Sequence, residues 1–296
     1  MQNKQSQPYI GRFAPSPTGP VHIGTLIAAV GSYLQAKTNN GEWLIRMEDV
    51  DTTRKVEGSD IEILDTLEAF GFEWDGEIIY QSTQNRHYEK ALEQLIALSL
   101  VFPCTCTRKQ LTSSNSSIYP GTCRNKTLPN NDEHALRLSA RNITIEFDDL
   151  IMGKQSQNIA QRCGDFVIKR RDGLFAYQLA VVVDDALQKI TEVVRGSDLL
   201  DSTPRQIYLQ QLLGYPTPAY CHLPLAVDND GNKISKSEGA TKVDIKNREK
   251  QMCDVLEFLG QNPPAGLSDS NINDIWKWSI DNWNINRVST AINRQL

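Results

Sequence analysis

Two short groups of side chains have the residue types needed to handle phosphate. The first is His22-Ile23-Gly24-Thr25, reached through a loop stiffened by Pro15 and Pro17. It offers an imidazole donor, a glycine that admits a close approach of backbone to nucleotide, and, at a helix start, free amides that favour anions. The second is Lys233-Ile234-Ser235-Lys236-Ser237, directly after the turn-forming Asp228-Asn229-Asp230-Gly231. Two lysines and two hydroxyls on one loop suit a cover over phosphates. Activation of a carboxylate by ATP passes through a pentacoordinate α-phosphorus whose developing charge must be met by such donors. His22, Gly24, Thr25, Lys233, Ser235 and Lys236 are therefore the candidate ATP-binding residues, Mg²⁺ being expected with the nucleotide, and His22 and Lys236 are the candidate catalytic ones.

Positioning these groups requires strands and helices in a particular order. Tyr9 to Phe13 reads as a strand, and Leu26, Ile27, Val30, Tyr33 and Leu34 have helical spacing, which puts His22 near a helix N-terminus. Asn39-Asn40-Gly41 stops that helix and Trp43 to Met47 reads as the next strand, so the opening is a parallel βαβ unit. Amphipathic helices follow at Gly58 to Phe70 and Asn85 to Leu100. A cysteine-containing segment with a polar loop from Thr112 to Ser117 then interrupts the pattern as an insertion. Phe166 to Arg170 and Ala176 to Val183 read as strands joined by the turn Arg171-Asp172-Gly173. Ser202-Thr203-Pro204 starts a helix that runs from Pro204 to Leu213 and ends at Gly214. Leu223 to Val227 reads as a last strand before the lysine-rich loop. The fold class expected is α/β with a parallel sheet.

The chain has 296 residues and a formal net charge of -5. Any nucleic-acid partner must then be held by a local basic patch, for which Lys169, Arg170 and Arg171 are candidates. Met1 to Gln7 lacks the apolar core of a secretory signal, and the longest apolar stretch, Leu95 to Phe102, is too short to span a bilayer. A cytoplasmic location, no membrane partner and a monomer are the expectations. Cys104, Cys106 and Cys123 are crowded together, which in a reducing compartment points to a structural zinc ion, whereas Cys163, Cys221 and Cys253 are isolated and expected to be buried thiols. The fourth ligand could be His87, His134, a water or Tyr119.

Taken together and in this order, the two phosphate-handling segments resemble the HIGH and KMSKS signatures of class I aminoacyl-tRNA synthetases. The resemblance runs over residues 8–245 and is closest to the glutamyl-tRNA synthetase branch. It is carried by Arg12-Phe13-Ala14-Pro15-Ser16-Pro17-Thr18-Gly19, Arg46-Met47-Glu48-Asp49-Val50-Asp51, Arg195-Gly196-Ser197-Asp198-Leu199-Leu200 and Ser202-Thr203-Pro204-Arg205-Gln206. It implies a Rossmann-like catalytic domain over 8–103 and 165–245, a zinc-binding, acceptor-type insertion over 104–164, a short helical, stem-contact-like tail over 246–296, and no anticodon-binding domain. It also implies a glutamate pocket formed by Arg12, Phe13, Ala14, Pro15, Ser16, Glu48, Tyr177 and Arg195. An amino acid with two carboxylates and one ammonium does call for arginines and one acid. For the metal, the resemblance implies Cys104, Cys106, Tyr119 and Cys123 as ligands.

The stretch after Ser237 is shorter than the usual domain of about 100 to 150 residues. The match is therefore better to the shortened paralogues of that branch. These activate L-glutamate with ATP and attach it to queuosine in the anticodon loop of tRNA(Asp), so L-glutamate, ATP and the tRNA(Asp) anticodon stem-loop are the expected partners. No general base for the transfer step is apparent in the sequence. The alternatives are a shortened glutamyl-tRNA synthetase that charges the tRNA 3′ end, a HIGH-type nucleotidylyltransferase, and a non-catalytic tRNA-binding protein.

Overall fold

The computed structural model describes residues 8–112, 118–126, 134–228, 234 and 242–295. Strand β1 (Ile10–Phe13) runs parallel to β2 (Glu42–Met47), and α1 (Ile23–Thr38) makes the crossover between them, as the apolar spacing requires. Leu26, Ile27, Val30 and Leu34 of α1 are buried against the sheet. Asn40 takes a positive φ of 53° in the turn that ends the helix. Then come α2 (Ser59–Ala69), β3 (Ile79–Tyr80), which pairs parallel with β2, and α3 (Asn85–Ala97).

The middle of the chain contains β4 (Val101–Cys104), α4 (Arg108–Thr112), β5 (Ala135–Leu138), β6 (Thr144–Asp149), β7 (Gly153–Asn158) and β8 (Phe166–Lys169). β4, β5 and β8 form an antiparallel sheet, which therefore crosses the expected boundaries of the insertion at 104 and 164. The β6–β7 hairpin also reaches out of the insertion: β6 runs parallel to a strand of the second half, with Asp149 opposite Tyr220.

The second half contains α5 (Tyr177–Leu187), β9 (Glu192–Gly196), α6 (Thr203–Leu213), β10 (Ala219–Leu223) and β11 (Leu225–Val227). β9 and β10 are parallel, and this block meets β1 where the Thr191 N–H donates to the Ile10 carbonyl at 2.9 Å and the Ile10 N–H to Thr191 Oγ1 at 2.9 Å. The parallel strands thus line up in the order β3, β2, β1, β9, β10, β6. The helix α6 ends as expected at Gly214, whose φ of 69° is one that a side chain would strain.

Two sequence expectations are corrected here. Ala176 to Val183, expected as a strand, is the start of α5. The three consecutive valines favour a strand in isolation, but every residue from Leu179 to Asp185 is buried, and a helix enclosed on all sides carries no amphipathic period to announce it. Leu223 to Val227, expected as one strand, is divided at Pro224 into the end of β10 and the separate β11, because proline cannot donate to a ladder. Of the isolated cysteines Cys221 is buried, whereas Cys163 and Cys253 are only partly so.

The C-terminal stretch forms α7 (Arg248–Phe258), α8 (Ile272–Asn282) and β12 (Asn293–Gln295), which pairs with β11. This region packs on the βαβ unit: the Trp276 ring lies 4.6 Å from that of Tyr33 and 4.9 Å from that of Phe72, and its indole N–H donates to the Phe70 carbonyl at 2.9 Å. Among the described residues no helix is long and apolar enough to cross a membrane.

Candidate active site

The carboxyl ends of β1, β2 and β9 and the N-terminus of α1 converge on one cavity of about 370 Å³, where a parallel sheet with helical crossovers commonly holds its ligand. Arg12, Phe13, Ala14, Pro15, Ser16, Glu48, Tyr177 and Arg195 all line it. So do His22, Gly24 and Thr25 from the start of α1, and Ile234 from the lysine-rich segment. Lys233, Ser235, Lys236 and Ser237 lie outside the described residues.

His22 is the N-cap of α1, with extended backbone at φ -109° and ψ 169°. Its Nδ1 accepts the Thr25 N–H at 3.3 Å, and Nε2 is 3.0 Å from the Thr25 hydroxyl. The imidazole is thus folded over the first turn, beside the helix amides that favour an anion. Ile234 within the lysine-rich segment and Val243 beyond it are fastened nearby: the Ile234 N–H donates to the Ala226 carbonyl at 2.9 Å and the Val243 N–H to the Val21 carbonyl at 3.0 Å.

The opposite wall is a buried charge network. Arg12 donates from Nε to Asp185 Oδ1 at 3.2 Å, and Arg46 donates from Nη2 to the same oxygen at 2.7 Å. Arg46 is fully buried and also donates to Gln188 Oε1 at 2.6 Å. Asp184 accepts from Gln81 Nε2 at 2.7 Å and the Tyr88 hydroxyl at 2.8 Å. Glu48 lies 3.7 Å from Arg46 Nη2. Burial pushes the Glu48 carboxyl up to about 7 even though Arg46 and Arg12 pull it down. Burial and the neighbouring Glu48 raise the Tyr177 phenol to about 12, so it remains a hydroxyl donor. For Asp185, burial would raise the carboxyl, but Arg12 and Arg46 outweigh it and hold the group below its usual range.

Arg195 stands on the third side. Its Nε donates to His222 Nε2 at 3.0 Å and its Nη2 to Thr203 Oγ1 and Gln206 Oε1, both at 2.8 Å. Its Nη1 is buried and has no hydrogen-bond partner. Arg195 itself lines the cavity, which puts a guanidinium cation beside any ligand bound there.

Away from this cavity, Cys104, Cys106 and Cys123 bring their sulfur atoms within 4.8 Å of one another. The Tyr119 hydroxyl is 3.4 Å from Cys104 Sγ and 3.7 Å from Cys106 Sγ, and Cys106 Sγ is 3.5 Å from Cys123 Sγ. Zn–S bonds of about 2.3 Å in a tetrahedron put ligand atoms about 3.8 Å apart, so three thiols and a phenol oxygen at these separations fit the ion. Neither His87 nor His134 joins the cluster, and Tyr119 is the protein group of the four candidates that stands against it.

The basic turn is already engaged: Lys169 pairs with Glu89 at 2.6 Å, Arg170 with Asp51 at 2.6 Å, and Arg171 Nη2 donates to the Thr105 carbonyl at 2.7 Å. Sequence reasoning missed Asp184, Asp185, Asp149 and His222. The two aspartates end the valine-rich run that reads as a strand, and His222 is one imidazole inside an apolar strand. An ionisable group within an otherwise buried run was the available signal.

The family described as tRNA synthetases class I (E and Q), catalytic domain, matches residues 10–261. The chain is 50% identical over 290 residues to the glutamyl-Q tRNA(Asp) synthetase of Aromatoleum aromaticum, covering 96% of this chain and 92% of that protein. It is 47% identical over 280 residues to the glutamyl-Q tRNA(Asp) synthetase of Pseudomonas aeruginosa PAO1, covering 95% of each. Among solved structures, the glutamate-tRNA synthetase of Elizabethkingia anophelis superposes with a TM-score of 0.82 at 25% identity, over 98% of this chain and 68% of that one.

Proposed function

From a chain that belongs to the class I tRNA synthetases of the E and Q group, with their catalytic domain over residues 10–261, we propose an enzyme that activates L-glutamate with ATP and transfers the glutamyl group to queuosine in the anticodon loop of tRNA(Asp). The observation that carries the activation step is one cavity holding the α1 N-terminus at one end and Arg12, Glu48, Tyr177 and Arg195 at the other. The acceptor is carried by relatives named for this reaction, of whose length the chain covers 92% and 95%.

In this reading Arg195 and Arg12 meet the carboxylates of glutamate, Glu48 meets the ammonium, and the Tyr177 hydroxyl donates to the substrate. A carboxylate oxygen of glutamate attacks the α-phosphorus of ATP, and the bond to pyrophosphate breaks. Negative charge gathers on the α-phosphate oxygens and the departing group, where His22, the Gly24 amide, Thr25, and Lys233, Ser235 and Lys236 stabilise it. Mg²⁺ accompanies the nucleotide. A hydroxyl of the queuosine ring then attacks the activated carbonyl and AMP leaves, taking the bridging oxygen. The segment 104–164 is the RNA-facing insertion, stapled by zinc on Cys104, Cys106, Tyr119 and Cys123, and 246–296 braces the catalytic domain. In this reading the protein works as a monomer, in the cytoplasm where tRNA is found.

The test is to supply radiolabelled glutamate, ATP and an isolated tRNA(Asp) anticodon stem-loop with or without queuosine. The expected product is a glutamylated stem-loop only when queuosine is present. A stem-loop that accepts nothing while intact tRNA(Glu) is charged at its 3′ end would make the protein a shortened glutamyl-tRNA synthetase instead. Absence of glutamate-dependent pyrophosphate exchange into ATP would remove the activation step altogether.

A further inference from the structure

Behind Arg195 stands a buried chain of contacts that ends on the β6–β7 hairpin. Asp149 closes β6, His222 lies on β10, and Arg195 on β9. Asp149 Oδ2 is 2.6 Å from His222 Nδ1, and both side chains are fully buried. His222 Nε2 in turn receives the Arg195 Nε–H at 3.0 Å.

Hydrogen-bond chemistry fixes where the imidazole proton sits. The guanidinium Nε only donates, so His222 Nε2 must accept, and the carboxylate only accepts, so Nδ1 must carry the proton. Only the neutral Nδ1–H tautomer satisfies both. We infer that Asp149 and His222 are positioning residues that set the specificity of the glutamate pocket: Asp149 fixes the tautomer of His222, and His222 holds the guanidinium of Arg195, a residue that lines the cavity, in place for the acidic substrate. Resting on the glutamate-activating reading above, this assigns to the hairpin a part in choosing the amino acid.

Asp149 is oriented by more than His222. Its Oδ1 accepts the N–H groups of Ile151 at 3.1 Å, Met152 at 2.9 Å and His222 at 3.2 Å. In Asp149→Asn these three donors hold the amide oxygen in place, which turns the amide nitrogen toward His222 Nδ1. The imidazole then accepts at Nδ1 and protonates at Nε2, placing a donor against the Arg195 Nε–H. The turn survives while the relay is reversed.

Nitrogen-15 NMR of the histidine rings should find the Nδ1–H tautomer for His222 in the wild type and Nε2–H in Asp149→Asn. In glutamate-dependent pyrophosphate exchange, Asp149→Asn should raise the KM for glutamate by about tenfold or more while the KM for ATP and the melting temperature stay near wild type. His222→Gln, which can offer a carbonyl to Arg195, should retain a lower glutamate KM than His222→Leu. A wild-type Nε2–H tautomer, an unchanged glutamate KM in Asp149→Asn, or equal behaviour of the two His222 variants would overturn the inference. If Asp149→Asn does not fold, the wild-type tautomer and the His222 pair still decide. If the wild type shows no glutamate-dependent exchange, the proposed function fails while the tautomer measurement still tests the relay.

Discussion

Gly24 faces the carbonyl oxygen of Ile234: a Cβ built on Gly24 would stand 3.5 Å from that oxygen and 3.2 Å from Cε1 of His22. The two phosphate-handling segments, far apart in the sequence, are therefore close neighbours across one cavity, with glycine leaving the gap between them.

Gly24→Ala tests what that gap is for. Alanine inside α1 should stabilise the helix by up to about 1 kcal/mol, since Gly24 has an ordinary helical backbone. The added methyl also forces the His22 ring, folded over the same turn, to shift by a few tenths of an ångström. The expected outcome is an unchanged or higher melting temperature together with a KM for ATP raised by about tenfold. Unaltered ATP kinetics would show that the close approach has no bearing on the nucleotide.

Glu48 gives a pH dependence with a defined sign. Its carboxyl is raised from 4.5 to about 7 in the folded protein, chiefly by burial. Stability associated with the neutral form is thus present below about 4.5 and is lost as pH rises through about 7. Binding runs the other way, because only the carboxylate attracts the substrate ammonium. The KM for glutamate should fall as pH rises toward about 7 and level off above it, and Glu48→Gln should flatten the profile at a high KM. The check is glutamate-dependent exchange measured across that range in both proteins.

Lys236 belongs to the lysine-rich segment and is assigned a contact made only in the transition state. Lys236→Ala should cost about 3 kcal/mol, or roughly a hundredfold in the rate of adenylate formation, with little change in the KM for glutamate. Near-normal single-turnover rates would remove it from the catalytic residues.

Arg46 is wholly enclosed, with Asp185 at 2.7 Å and Asp184 at 3.9 Å. Its replacement by methionine leaves buried Asp184 without its main counter-charge and Asp185 with Arg12 alone, a defect that typically costs about 3 to 5 kcal/mol. Chemical denaturation of Arg46→Met should show a loss of that size. A change below about 1 kcal/mol would mean that Arg12 alone neutralises the pair.

How much of this was legible follows from where the information resides. The βαβ unit was readable because Leu26, Ile27, Val30, Tyr33 and Leu34 recur at helical spacing and an Asn-Asn-Gly stop follows, although Ala29 to Ala36 are buried without a break. The pocket residues Arg12, Glu48 and Arg195 were readable as stretches of sequence, though their mutual distances were not. Helix α5 was misread because its three consecutive valines favour a strand, and with it went Asp184 and Asp185, the acids that hold Arg12 and Arg46. His222 and Asp149 could not be paired in advance, since their contact depends on β6 joining β10 from within what read as an insertion.

The metal prediction turns on how little else holds the cysteine region together. Phe102, Cys104, Tyr119 and Cys123 form a small buried cluster separate from the two large cores. Arg137 stacks 4.1 Å over the Tyr119 ring, and Arg124 makes a bidentate pair with the buried Asp165 at 2.7 Å, which ties this cluster to β8 from one side only. A structural zinc ion can contribute on the order of 10 kcal/mol, comparable to everything a cluster of four buried side chains supplies. Cys104→Ser should therefore lose bound zinc, measured as metal stoichiometry, and become open to proteolysis between β4 and β5. None of the four proposed ligands lines the ATP and glutamate cavity, so pyrophosphate exchange should stay within about threefold of wild type. Glutamyl transfer to the stem-loop should fall much further, because that step needs the RNA-facing insertion in place. Zinc retained at wild-type stoichiometry in Cys104→Ser would remove Cys104 from the ligand set. Exchange lost in parallel with transfer would tie the metal to the fold of the whole catalytic domain.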